Sequence, residues 1–404
     1  MKVSIIGQGY VGLTISVGAA NAGHQVNGFD IDDRLIQNLT QGETFVPGIL
    51  KSDLLELQSS NKLKFSNEPG SFSNSEIIVI AVPTPLDSKR NPDLEMLLSA
   101  VSTVAKNIKS STLIVNESTS YPGTLRNLIK PIFDKNSDYS CEFASAPERV
   151  DPGNEKWNLE NTPRVIAGLT PEATLKAREF YSSFCKIVFE TSTPEIAEAS
   201  KLFENTFRQV NIALANEFSE IANGLGFSAS EAIQAASTKP FGFIPFYPSI
   251  GVGGHCIPID PSYLSYAAAV NGVEASLINL ANKTNLSAAN KIAERIKEYM
   301  GGSLKGLKIQ IAGVAYKTNV PDIRESPALI LINELESLGA EVSWFDNLVG
   351  EIGSVKSIPL DQSIDLGIIV TPHDEIDFSI WLKAGIKVLD LSANSRNYGW
   401  PKFF

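Results

Sequence analysis

Three features of the sequence predict an α/β chain of two doubly wound domains joined by a long central helix and a small helical region. A glycine-rich turn at residues 7–12 links an apolar run to a helical stretch. Apolar residues recur at three- and four-residue steps from 194 to 224. After residue 305 the order of strand, helix and acid-tipped strand begins again. The predicted divisions are 1–192 for a dinucleotide-binding domain, 193–290 for the central helical region, and 291–404 for a second Rossmann-like domain.

The elements follow in order. Lys2 to Ile6 (KVSII) reads as a buried parallel strand, and Gly7-Gln8-Gly9-Tyr10-Val11-Gly12 follows it directly. A helix to about Ala22 and a strand ending at Asp30 complete a βαβ unit. Gly7 allows the tight turn, Gly9 lets a pyrophosphate approach the backbone, and Gly12 lets helix and strand pack closely. The pyrophosphate would sit at the positive helix N-terminus. A carboxylate at position 30 accepts from a ribose 2′-hydroxyl and repels a 2′-phosphate, so NAD is favoured over NADP. Later strands run into Thr84, Thr119 and Glu148, which become candidate walls of one cleft. Turn chemistry alone would also account for the two threonines, and Glu148 would otherwise be an exposed acid.

From Pro194 the chain reads as one helix to about Gly224. Ile196, Ala199, Phe203, Phe207, Val210 and Leu214 predict a buried stripe, with Lys201 and Asn205 one turn apart on the opposite face. A short helix near 228–237 and a Gly/Pro/aromatic loop from Lys239 to Asp260 follow. KIQIAGVAYK, the helix Ser326 to Leu338, EVSWFD and DLGIIVTPH then repeat the doubly wound pattern without the glycine fingerprint. Two such halves around a long helix predict a cleft where two ligands meet.

Composition narrows the function. The 404 residues are 43% hydrophobic and 20% charged, the balance of a globular protein. Lys and Arg number 34 against 45 Asp and Glu, a net charge of −11, which argues against a nucleic-acid partner but leaves room for an anionic small ligand held by local bases. No apolar run is long enough to span a membrane, and the first residues lack a signal-peptide layout. Cys141, Cys185 and Cys256 form no CxxC pair, which points to a reducing, cytoplasmic setting rather than a disulfide framework. No spacing of Cys, His, Asp or Glu resembles a metal site.

The loop Tyr247 to Pro261 carries the chemistry. Gly251, Gly253 and Gly254 free backbone amides to face an anion such as a diphosphate. Cys256 follows directly, with Asp260 four residues on. A thiolate is the reactive form, and nearby cations favour it; His255 is one candidate, or else a hydrogen-bonded loop histidine. Cys141 and Cys185 stand in strand-like apolar surroundings and read as structural.

Across nearly the whole chain the motifs resemble the UDP-glucose/GDP-mannose dehydrogenase family of NAD-dependent nucleotide-sugar 6-dehydrogenases. The resembling blocks are GQGYVG, VPTP (82–85), NESTSYPGT (116–124), PERVDPGN (147–154), KLFENTFRQVNIALANE (201–217), GGHCIPIDP (253–261) and GVAYKTNVPDIRESPA (313–328). The resemblance implies two successive oxidations of a sugar C6 alcohol to a carboxylate. Cys256 would be the nucleophile, Lys201 and Asn205 the oxyanion-stabilising pair, Asp260 an acid assisting proton transfer, and Thr119 and Glu148 groups that position water. Cofactor contacts would fall on Gly7, Gln8, Gly9, Tyr10, Val11, Gly12, Asp30, Thr84, Thr119, Glu148 and Arg324. Substrate contacts would fall on Glu148, Arg149, Val150, Asp151, Lys201, Asn205, Tyr247, Ser249, Gly251, Gly253 and Lys317.

The stretch from 238 to 264 is similar to the branch acting on UDP-N-acetylhexosamines, above all UDP-N-acetylglucosamine, with UDP-N-acetylmannosamine and UDP-glucose as alternatives. That branch usually has glycine where Ser249 stands, arginine near Ser276, and a basic residue near Ala268. A two-electron β-hydroxyacid-type dehydrogenase would need neither the cysteine nor a second Rossmann-like half. A non-catalytic binder would have no reason to keep Cys256, Lys201, Asn205 and Asp260 together. Family members pair through the long helix, so the expected partners are a UDP-sugar and a second copy, in cell-surface polysaccharide synthesis.

Overall fold

The run Lys2–Ile6 forms strand β1, and four of its five residues are buried, which is why it lacks polar alternation. In this computed structural model, residues 1–150, 154, 156–392 and 403–404 are described. The chain divides into two units, Met1–Glu204 with Tyr266–Gly272, and Asn205–Ser265 with Val273–Phe404.

In the first unit, β1 is followed by helix α1 (Tyr10–Asn21) and strands β2 (Gln25–Phe29), β3 (Leu63–Ser66), β4 (Ile77–Ile80), β5 (Leu113–Asn116), β6 (Glu142–Ser145), β7 (Arg164–Gly168) and β8 (Val188–Glu190). Helix α2 (Pro171–Ser182) lies between the last two. The sheet order is β3-β2-β1-β4-β5-β6-β7-β8, parallel except for the β6–β7 pair. The order reverses between β1 and β4, so the crevice for a ligand opens beyond their carboxyl ends. Ile5, Val79 and Val115 are fully buried, each contributing roughly 1.5–3 kcal/mol of apolar burial.

The central helix α3 (Pro194–Leu225) is continuous over 32 residues. Its orientation corrects the expected buried stripe. Phe203 is 67% exposed and Leu214 63%, and Ile196 and Phe207 are also exposed. Glu198, Lys201, Thr206, Gln209, Asn216 and Ser219 are buried instead. Hydrogen bonds explain much of the inversion. Glu198 accepts from the N–H groups of Gly123 and Leu125, and Lys201 donates to Thr119. Gln209 bonds Asn282, and Asn216 Nδ2 donates to Asn285 Oδ1. Bonded polar side chains such as Glu198, Lys201 and Asn216 can be buried, and the apolar face is then left outward.

The second unit adds helix α4 (Asp260–Val270, the end of which belongs to the first unit), α5 (Ser276–Leu286), and strands β9 (Lys308–Ala312), β10 (Glu341–Phe345), β11 (Leu366–Ile369) and β12 (Val388–Asp390), with α6 (Pro327–Ser337). Its main sheet is parallel, in the order β10-β9-β11-β12. Among the described residues no helix is long and apolar enough to cross a membrane.

Candidate active site

The turn after β1 is built for close backbone approach. Gly7 has φ +91°, and a Cβ on it would stand 2.5 Å from the carbonyl oxygen of Ala81 at the end of the neighbouring strand. A Cβ on Gly12 would stand 1.7 Å from the Gly7 carbonyl oxygen, so α1 can pack this tightly only on glycine. Gly9 is different: nothing lies within 4 Å of where its Cβ would be. Gln8 turns inward; its Nε2 donates to Ile5 O (2.9 Å) and its Oε1 accepts from Ser16 Oγ (3.1 Å). Gln8 N donates to Asp30 Oδ2 (2.7 Å), and Asp30 Oδ1 accepts from Asp32 N (3.0 Å). Each oxygen thus keeps a lone pair for a ribose hydroxyl. Tyr10 and Val11 lie partly exposed at the start of α1, and Thr84 is buried in the loop beyond β4. A glycine with open space at its Cβ position, a helix N-terminus and a half-buried acid fit a dinucleotide.

Beyond β5 and β6 the first unit gathers Thr119, Glu148 and Lys201, all buried. Lys201 Nζ donates to Thr119 Oγ1 at 2.6 Å. Glu148 is not an exposed acid. Its Oε1 accepts from the N–H groups of Arg149 and Val150, and its Oε2 from Arg164 Nη2 (3.1 Å). Burial alone would raise its carboxyl, but Arg164, the Val150 N–H and Lys201 together hold it below the ordinary value. Arg149 pairs with Glu204 and Val150 contributes its amide, while Asp151 lies outside the described residues.

In the second unit, the glycine loop leads into α4. The Cys256 carbonyl accepts from the N–H of Asp260 (2.9 Å), so the cysteine stands one turn before that helix. A helix N-terminus favours negative charge on such a group. Asp260 is 1% exposed, and its Oδ2 accepts from Asn205 Nδ2 at 2.7 Å. Gly254 N donates to Arg324 O (2.9 Å), which lays the 322–325 segment beside the loop. Arg324 forks onto Asp322, which together with Tyr316 and Cys256 raises the guanidinium's basicity. It places a cation near Cys256 that the sequence reading, which named only His255, did not identify. Gly253 and Gly254 face Tyr316 so closely that a Cβ on either would fall within 3 Å of it. Ser249 N donates to Asn216 Oδ1 (2.8 Å) and its Oγ to Gly251 O (2.8 Å), fixing the loop beside the half-buried Tyr247.

Lys317 lies on the loop beyond β9. Asp346, at the tip of β10, accepts from Val314 N and Ala315 N, and Asn319 N donates to His373 Nδ1 (2.8 Å). His373 Nε2 then carries the proton and donates to Asp346 Oδ2 (3.0 Å). The lysine therefore rides on a loop held at both ends.

The other thiols sit elsewhere. Burial pushes the Cys185 thiol up to about 11, and burial also raises Cys141. Sequence reading missed Glu117, Arg164, Tyr181 and Glu198. The signal was slight: Glu117 just after an apolar strand, Arg164 within one, Tyr181 on the buried side of α2, and Glu198 on the unfavoured face of α3. Among the described residues no group of three or more His, Cys, Asp or Glu could hold a metal.

Family models match three stretches: the NAD binding domain of the UDP-glucose/GDP-mannose dehydrogenase family over residues 1–185, its central domain over 195–287, and its UDP binding domain over 310–388. The chain is similar to the UDP-N-acetyl-D-glucosamine 6-dehydrogenase of Pseudomonas aeruginosa, 31% identical over 356 residues, covering 86% of this chain and 82% of the relative. It is also similar to the UDP-N-acetyl-D-mannosamine dehydrogenase of Pyrococcus horikoshii, 34% identical over 395 residues, covering 95% of this chain and 92% of the relative. The solved structure of a UDP-D-ManNAc dehydrogenase from Pyrococcus horikoshii superposes with a TM-score of 0.88 at 32% identity, covering 100% of this chain and 97% of that one. This chain therefore belongs to the UDP-glucose/GDP-mannose dehydrogenase family and is an NAD-dependent oxidoreductase.

Proposed function

We propose that the protein oxidises the C6 hydroxyl of a UDP-N-acetylhexosamine to the uronate, with UDP-N-acetylglucosamine as the substrate. The observation that carries this reading is the place of Cys256 one turn before α4, on a glycine loop, with the Asn205–Asp260 pair bonded at the start of that helix. UDP-N-acetylmannosamine is the second reading, favoured by the relatives and the structure named for it.

NAD⁺ would be held by Gly7 to Gly12, Asp30, Thr84, Thr119, Glu148 and Arg324, and would supply the hydride acceptor for both oxidations. The protein's groups do the rest. Lys201 and Asn205 stabilise the oxyanion as the C6 alcohol gives up its proton, through Asp260 and water, and a hydride from C6, which leaves the aldehyde, and they do so again at the tetrahedral adducts. The Cys256 sulfur adds to the C6 aldehyde, forming a C–S bond. Departure of hydride from that adduct leaves a thioester. Water, aligned by Glu148 and Thr119, attacks; the C–S bond breaks, the thiol regains a proton through Asp260, and the uronate leaves. Arg149, Val150, Tyr247, Ser249, Gly251, Gly253 and Lys317 hold the sugar nucleotide, with Lys317 answering its charge in an acidic protein. We divide the chain for this work into a cofactor domain (1–192), a central region (193–290) and a UDP-sugar domain (291–404), acting in the cytoplasm.

A panel of UDP-sugars with NADH readout tests the assignment. UDP-N-acetylglucosamine is expected to give about two NADH per sugar consumed, as a four-electron oxidation requires. One NADH per sugar would favour a simple alcohol dehydrogenase, and no reduction with any UDP-sugar would reject the enzyme reading.

The outward face of α3 supports a homodimer. Phe203, Phe207 and Leu214 on the helix, with Phe241 and Ile244 of the following loop, are all exposed on the single chain, apolar side chains of the kind a second copy would cover. Light scattering at micromolar protein is expected to report a mass of twice 43.7 kDa. A monomer would refute it.

A further inference from the structure

Behind Glu148 lies a buried charge cluster to which no role in the reaction has been given. Arg164, at the start of β7, is 3% exposed. Its Nη2 donates to Glu148 Oε2 (3.1 Å) and its Nη1 to Glu117 Oε2 (3.1 Å). Nη1 also lies within reach of the carbonyls of Ala146 and Pro147 at 3.3 and 3.4 Å. Glu117, the first residue after β5, is 1% exposed, and its Oε1 accepts from the hydroxyl of Tyr181 on α2. The Tyr181 ring stands under the guanidinium, 5.2 Å from Cζ to its centroid. Arg164 is thus fixed on one side by Glu117 and from below by Tyr181. Its Nη2 is aimed at Glu148.

We propose that Arg164, anchored by Glu117 and Tyr181, is a positioning residue that holds the Glu148 carboxylate aimed at the water that hydrolyses the Cys256 thioester. The inference rests on the reading of Glu148 given above. Three facts carry it. A planar guanidinium can bridge two carboxylates through separate nitrogens, which an ammonium cannot do with the same geometry. Both oxygens of Glu148 are already bonded, Oε1 to two backbone N–H groups and Oε2 to Arg164, so the carboxylate has no rotational freedom to lose. Finally, a cluster this deeply buried is costly to build for stability alone, since apolar residues of the same volume usually do as well.

Charges facing Glu148 come from Arg164 on β7, Lys201 on α3 and Glu117 after β5; Tyr181 and Cys185 face Arg164 from the α2 side. Burial, opposed by Arg164, raises the Glu117 carboxyl to about 7. Its anchoring charge is therefore present above neutral pH and lost as pH falls through that value.

The test uses Arg164→Lys in the full-length enzyme, with the steady-state acyl-enzyme on Cys256 read by intact mass after acid quench. We expect kcat to fall by at least about tenfold, KM for NAD and for the UDP-sugar to stay within about twofold, and acyl-enzyme to become the main species. The acid limb of the kcat profile should move to higher pH, because the group holding Glu148 ionised has drawn back. A loss of activity matched by a loss of folded protein, with the acyl-enzyme fraction and the limb unchanged, would make Arg164 merely structural and overturn the proposal. If Arg164→Lys does not fold, Glu117→Gln decides: acyl-enzyme should exceed the wild-type fraction at about pH 8 and match it at about pH 6. An effect equal at both pH values would overturn the anchoring role. Glu148→Gln separates the two levels. If that variant accumulates no acyl-enzyme, the assignment of Glu148 itself fails, and the role of Arg164 with it.

Discussion

Cys256→Ser is expected to lower sustained NADH formation by about a thousandfold or more and to yield no uronate. The reason is chemical. Serine is a much weaker acid than cysteine, whose ordinary value is about 8.5, so neither a helix N-terminus nor a nearby guanidinium can supply the anionic nucleophile. Without a covalent adduct the aldehyde is not held as a tetrahedral hydride donor. Each active site should therefore produce at most one equivalent of NADH, visible as a stoichiometric burst in stopped flow. Substrate and cofactor affinities should stay near wild type, since the substitution exchanges one small atom. Continued formation of two NADH per sugar at a comparable rate would show that another group carries the acyl intermediate.

The second large effect concerns the glycine turn, where two neighbouring glycines should behave differently. In Gly12→Ala the added methyl would stand 1.7 Å from the carbonyl oxygen of Gly7 and 2.9 Å from its carbon, both backbone atoms that cannot swing aside. Overpacking of this kind costs about 3 kcal/mol, or about 6–12 °C in the melting of a unit of this size. In Gly9→Ala nothing stands within 4 Å, and the backbone (φ −65°, ψ −166°) is one that alanine adopts readily. Melting should be unchanged, whereas KM for NAD should rise by about tenfold or more, because the methyl fills the space that a pyrophosphate needs. Calorimetry and initial rates check the pair. A Gly9→Ala enzyme with wild-type KM would place the pyrophosphate elsewhere, and Gly12→Ala at wild-type melting would mean α1 packs less closely than it stands here.

Much of the first unit was legible because its signals are local. The turn at 7–12 lies between an apolar run and a helix, and Gly7 and Gly12 each face backbone that a Cβ would strike. The family resemblance is borne out by the three matching models. The face of α3 was not legible. A helical wheel ranks Phe203 and Leu214 as core and Lys201 and Gln209 as surface, and it cannot know that Thr119 and Asn282 wait for the polar side chains. The same blindness hid Arg164. Its partners are 47 and 16 residues away, and nothing near it in the chain announces a buried ion pair. Periodicity reports which residues prefer water, whereas the network here depends on which distant residues meet.

The fastening of Asp346 has a consequence for ligand selection. The second sheet ends its outer strand with an acid, just as β2 ends in Asp30, and it keeps one glycine of the turn: Gly313 has φ +83°, and a Cβ on it would strike the Thr371 carbonyl oxygen at 1.9 Å. Ala315 and Thr318 stand at the spacing of Gly9 and Gly12. The Asp346 carboxylate is already saturated, with one oxygen taking Val314 N, Ala315 N and His373 Nε2 and the other Leu348 N and Val349 N. Burial alone would raise its pKa, but these donors overcome it and bring the value down to about 2. A coenzyme that docks by offering adenosine hydroxyls to such an acid finds no acceptor there. Two copies of one architecture can thus work in a single polypeptide without competing for the same dinucleotide.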